Sequence, residues 1–156
     1  MKSLKLAVVA ISLIGVFGVG NVMAATATAD VDVNAEILAA CVATNVSDIT
    51  FAAIDPLATT GLIDSAVQSG ATPGSINVKC TAGTTVTFSA PATDSMTSTL
   101  APGTPIVYTP VVPSGSSAPG FAGTDYAVNA TIAQAQYQGA NAATDYSDTF
   151  TVTVTY

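Results

Sequence analysis

Thr149-Phe150-Thr151-Val152-Thr153-Val154-Thr155-Tyr156 ends the sequence, and its strict alternation decides the fold class. In an extended chain Phe150, Val152, Val154 and Tyr156 point to one face and the four threonines to the other. That period, carried by β-branched and aromatic residues, is the mark of a half-buried antiparallel strand with one wet face. Three more runs repeat it upstream. Ala27, Ala29, Val31, Val33, Ala35, Ile37 and Ala39 alternate with Thr28, Asp30, Asp32, Asn34 and Glu36, with Leu38 as the exception. Ile76, Val78 and Cys80 flank Asn77 and Lys79, and Val86 and Phe88 lie between Thr85, Thr87 and Ser89.

Turn signals separate these runs: Asp55-Pro56, Thr72-Pro73-Gly74 and Ala82-Gly83-Thr84. Residues 102–123 are rich in proline and glycine around Pro105-Ile106-Val107-Tyr108 and Val111-Val112. They predict an edge strand interrupted by proline, then a long surface loop. Alternation resumes over residues 126–132 and gives way to a polar stretch over residues 134–143. Beyond the first two dozen residues nothing reads as a long amphipathic helix. Short strands at this spacing predict a single all-β domain, a β-sandwich.

The amino terminus predicts export. Lys2 and Lys5 precede an almost unbroken apolar run over residues 6–19, and Val22 and Ala24 are the small residues a signal peptidase reads. The run, with Gly15, Gly18 and Gly20 at its far end, is short for a membrane span. Residues 1–24 are therefore expected to be a cleaved signal peptide. Once they are removed, Lys79 is the single cation against ten carboxylates, in a chain with neither Arg nor His. Phosphate backbones are held by Lys and Arg, so nucleic acid is excluded as a partner. With 49% apolar residues the chain is far too hydrophobic for a disordered polyanion.

Two cysteines in an exported chain point to one disulfide between Cys41 and Cys80, with two buried thiols as the alternative. Closing about 40 residues would contribute about 4 kcal/mol on the chain-entropy view. Enzymatic and metal chemistry find little footing. Ser114-Gly115-Ser116-Ser117 has no histidine to complete a triad, and two Cys without His supply half of a zinc site. Asp145 and Asp148 beside Tyr146 read as a turn capping the last strand before they read as an acid–base pair. Asp55 and Asp64 lack the dense Asp/Asn/Gly loop of a calcium site. The expectation is a protein without catalytic residues, metal or cofactor.

The two ends pose the main question. A long alternating segment opens the exported chain and an alternating strand ends the sequence, so one sheet edge is expected to lie uncovered, an aggregation hazard unless another chain pairs with it. The residues that carry the question also carry a resemblance. Ala29-Asp30-Val31-Asp32-Val33, Cys41, Ile49-Thr50-Phe51, Gly74-Ser75-Ile76-Asn77-Val78-Lys79-Cys80 and the ending Asp145-Tyr146-Ser147-Asp148-Thr149-Phe150 onward resemble the spore coat protein U family, which includes major subunits of archaic chaperone–usher pili.

The resemblance implies an incomplete immunoglobulin-like β-sandwich, over residues 39–156, that lacks its last strand. Residues 25–38 would be a donor strand, inserting Ala27, Ala29, Val31, Val33, Ala35 and Ile37 into the groove of a neighbouring subunit. Phe150, Val152, Val154 and Tyr156 would floor the acceptor groove, and Cys41 and Cys80 would form the family's disulfide. The implied partners are further copies of the chain, a periplasmic chaperone, an outer-membrane usher and a tip adhesin. The implied location is a fimbrium at the cell surface, with a role in adhesion or biofilm. The three inward alanines make this donor shallower than a strongly hydrophobic one. The competing expectation is a secreted coat or surface-binding β-sandwich that does not polymerise, with a hydrolase as a third possibility disfavoured by the missing His and Arg.

Overall fold

A computed structural model describes residues 26–57 and 61–156. The expected signal peptide lies outside the described residues. The chain divides into two units, Met1–Ala35 and Glu36–Tyr156. In the first, residues 26–35 take no regular secondary structure and are exposed throughout. The strand architecture belongs to the second.

That unit is all-β and antiparallel, built around the longest strand, β7 (Thr124–Ile132). Its alternation is carried into burial: Val128, Ala130 and Ile132 are buried while Ala127 is exposed. β3 (Gly74–Cys80) lies on one side of β7 with Gly74 opposite Val128 and Val78 opposite Thr124. On the other side lies β6 (Ile106–Val111), with Thr109 opposite Thr131. The path is extended outward by β1 (Cys41–Ser47) on β3 and by β5 (Asp94–Met96) on β6. A two-residue strand, β2 (Ile63–Asp64), pairs with the end of β7. β4 (Thr87–Ser89) and β8 (Thr153–Thr155) form a separate ladder, Phe88 opposite Val154.

Two apolar clusters result. One gathers Ile106, Tyr108, Ala130, Ile132 and Tyr137, with Ile49, Phe51, Met96 and Phe150 packed against it. The other gathers Val78, Cys80 and Val86, with Phe88, Tyr126 and Val154. The Phe88 and Tyr126 rings lie 4.6 Å apart, centroid to centroid, and tilted, which stitches the β4–β8 ladder to the main sheet. Cys41 and Cys80 are disulfide-bonded and directly opposite in the β1–β3 register.

Three sequence expectations need correction. Residues 27–39, for all their alternation, form no strand in the single chain, and residues 26–40 are exposed on both faces. Alternation specifies a strand only where a ladder and an apolar floor are supplied. The last run pairs over Thr153–Thr155 alone, so Phe150 and Val152 precede the ladder. The proline-interrupted strand is not an edge. β6 stands between β7 and β5, but it pairs with β5 through Ile106, Val107 and Tyr108 and with β7 through Thr109, Pro110 and Val111. Opposite Pro110, Ala130 turns its own N–H and carbonyl to Ser65, so the proline nitrogen points away from β7, to the side where β5 has already ended, and its missing N–H breaks no ladder bond. Within the polar stretch after β7, a short helix, α1 (Gln134–Gln138), turns one side chain, Tyr137, into the core.

Candidate functional site: a groove between two strand edges

β1 has a single ladder partner among the described residues, β3, and β8 has a single one, β4. A groove of about 1330 Å³ runs between β1 and the stretch that leads into β8, whose own residues 153–155 do not line it. One wall is residues 43–56, made of the outer part of β1 and the stretch that follows it. The other wall is residues 140–152, the approach to β8. The floor is apolar: Met96, Ile106, Tyr108, Val128, Ala130 and Tyr137 from the sheet and α1, with Ile49 and Phe51 entering from one side and Phe150 and Val152 from the other. Residues 148–152 take part in no ladder at all.

The wall nearest β8 is fixed by polar contacts that leave its apolar side chains facing inward. Asp145 accepts hydrogen bonds from the hydroxyls of Ser98 and Thr99 and from the backbone N–H groups of Thr99 (2.9 Å) and Leu100 (3.2 Å). Ser98 in turn accepts from the N–H of Ala101 at 2.9 Å. The carboxylate thus closes the turn at residues 98–101. The Ser98 and Thr99 hydroxyl bonds, with help from the backbone donors, hold its pKa down to about 2. The backbone of Ser147 exchanges two bonds with Thr97, at 3.0 and 3.1 Å. Tyr146 reaches the carbonyls of Asn141 (3.0 Å) and Thr104 (3.1 Å) with its hydroxyl.

Tyr108 spans the floor. Its ring lies 6.0 Å from that of Phe150, and its hydroxyl donates to Asp148 Oδ2 at 2.9 Å on the groove wall. Burial, then the hydrogen bond and charge of Asp148, hold the phenol well above its ordinary ionisation range. Asp145 and Asp148 are each engaged as acceptors in separate bonds, one closing a turn and one bracing the floor, rather than forming a pair over a cleft. Asp55 and Asp64 likewise accept local backbone N–H bonds, from Leu57 and Ala66, and among the described residues no cluster of potential metal ligands occurs.

Of the four acceptor residues expected from the sequence, Phe150 and Val152 line the groove, each half-buried. Val154 instead packs in the second cluster against Val78 and Phe88. Tyr156 is 61% exposed and lies outside the groove lining, a correction that follows from the ladder ending at Thr155. Ile49, Phe51 and Tyr108 were assigned no groove role by the sequence. Ile49-Thr50-Phe51 enters the sequence reading only through the family resemblance, and the wall that faces it in the fold lies about a hundred residues away.

The other expected site residues lie in the amino-terminal segment. Ala27, Ala29, Val31, Val33, Ala35 and Ile37 are all exposed, Val33 to 88%. Comparison with known proteins finds no matching family model, no matching curated protein and no matching solved structure. The chemistry must therefore be read from the groove itself. It offers an apolar slot flanked by β1, which among the described residues pairs on one side only, and by residues 148–152, which join no ladder.

Proposed function

We propose that the chain is a structural subunit of a surface fibre, and that its groove receives the amino-terminal segment of another copy. In this reading the all-β unit is an immunoglobulin-like sandwich one strand short, of the kind the spore coat protein U resemblance implies. The observation that carries it is the coexistence of an apolar groove, bounded by the one-sided strand β1 and by residues 148–152 that join no ladder, with a fully exposed segment of alternating apolar residues.

The physical case is additive. Seating Val31, Val33 and Ile37 stabilises the pair by about 1.5–3 kcal/mol each, with Ala27, Ala29 and Ala35 filling shallower places. Each ladder bond to β1 or to residues 148–152 adds a net of about 0.5–1.5 kcal/mol. Polar residues of the segment, Asp30, Asp32 and Glu36, would face water. Withdrawal of the strand must break the ladder and expose the floor together, so fibre strength is expected to lie in slow dissociation. Export, a periplasmic chaperone that shields the groove and an outer-membrane usher that exchanges it for the next segment belong to the same proposal, as do a tip adhesin and a place in a fimbrium serving adhesion or biofilm.

The test is size and stability. Expressed into the periplasm from its full-length sequence without other fibre components, the chain should give polymers or aggregates, and a variant lacking residues 26–36 should give none of the ordered polymers. A monodisperse, heat-resistant monomer from the intact chain would instead favour a secreted binding module.

A further inference from the structure

A groove that accepts its own kind of segment faces a competitor, the segment of the same molecule, tethered at Cys41 and present at high effective concentration. The root of that segment is held. The N–H of Thr81 donates to the carbonyl of Ala40 at 2.9 Å, continuing the β1–β3 register one step past the disulfide. The Thr81 hydroxyl accepts from the N–H of Ala40 at 3.1 Å and donates to the carbonyl of Leu38 at 3.2 Å. One threonine thus fastens residues 38–40 in line with β1, beside a covalent pivot.

We propose that Thr81 is a positioning residue that prevents self-filling and directs the segment to a second copy. This rests on the strand-donation reading above and concerns what selects the partner. With residues 38–40 held, a fold-back along β1 must turn at residues 36–37 or earlier. Residue 35 then pairs with 38, residue 32 is the first to reach Cys41, and residue 26 ends opposite Ser47. Val33, Ala35 and Ile37 never enter the groove, and the wall from residue 48 to 56 stays uncovered. Turning later, at residues 39–40, would bring the whole segment in, but it requires leaving Thr81. It also requires positive φ at Ala39, and at Ala40 too in a type I′ turn, a conformation that no described non-glycine residue adopts. A second copy delivers the segment whole, with its own latch intact.

The experiment supplies the turn and varies the latch. Ala39→Asn with Ala40→Gly is made in the full chain with Thr81 retained, with Thr81→Ser and with Thr81→Val. Each is produced in the periplasm, and the monomer-to-polymer ratio is measured by size-exclusion chromatography. The turn with Thr81→Val is expected to raise that ratio about tenfold over the turn with Thr81, and Thr81→Ser is expected to track threonine. Hydrogen exchange should show residues 26–38 protected in the resulting monomer. Equal ratios for the Thr81 and Val forms, or a monomer whose segment exchanges freely, would overturn the latch. Deletion of residues 26–36 runs alongside: if that variant still forms ordered polymers, strand donation itself is wrong, whereas loss of polymer with equal ratios indicts the latch alone.

Discussion

Gly74 shows how tightly single residues define this groove. A Cβ there would lie 2.8 Å from Ile49 Cγ1, 3.1 Å from the carbonyl oxygen of Val128 and 3.3 Å from that of Ser47. Two of these are backbone atoms of flanking strands, so relief requires the β1–β3–β7 ladders to shift. Gly74→Ala should cost about 1–3 kcal/mol, read as a lower denaturant midpoint at unchanged slope. Asp145 makes a different statement. Its folded pKa of about 2 lies below the ordinary aspartate value of about 3.9, so the stability it contributes is complete above about pH 5 and drains away as pH falls toward 2. Asp145→Asn should lower the melting temperature at neutral pH and flatten its decline across that acid window. None of the Asp145 network was visible in the sequence. Its acceptor and its donors at Ser98, Thr99 and Leu100 are about 45 residues apart, and only the fold brings them together. Gly74 was legible as a turn glycine, but the reason it must lack a side chain is tertiary.

At the scale of elements, the strands that alternate and find a ladder were readable: β3 through Ile76, Val78 and Cys80, β4 through Phe88, and β7 through Val128, Ala130 and Ile132. The disulfide pairing followed from there being only two cysteines, and the structure seats them opposite one another. What escaped was set by context. The two residues of β2 carry no period of their own, and β6 keeps Pro110 because its ladder partner changes along its length. Residues 27–39 carry the longest alternation, broken only at Leu38, and form no strand, because a pattern states what a segment can bury and not where. The Cys41–Cys80 bridge ties β1 to the sheet at the root of the segment. Replacing both cysteines by serine should destabilise the unit by roughly 2–4 kcal/mol in equilibrium unfolding. By contrast Val31→Asp with Val33→Asp should leave the melting of the Glu36–Tyr156 unit unchanged when monomer is compared with monomer, and lower polymer yield by at least tenfold, since each valine contributes about 1.5 kcal/mol or more only once buried.

At the scale of the whole molecule, the sheet has edges paired on one side only and the amino-terminal segment has no ladder of its own. The groove floor belongs to the same cluster as the main core, since Ile106, Tyr108 and Ala130 serve both, so filling the groove should stiffen the entire Glu36–Tyr156 unit and not a local patch. A chain lacking residues 26–36 should accordingly melt low and broadly by itself. The most direct measurement adds to that chain a synthetic peptide spanning residues 26–38 and follows both melting temperature and backbone hydrogen exchange. The account predicts saturable binding, a rise in melting temperature of several degrees, and new protection at residues 148–152 and along β1, with an alternating pattern of protection in the peptide. A peptide that leaves the melting curve and the exchange of residues 148–152 unchanged at saturating concentration would contradict it.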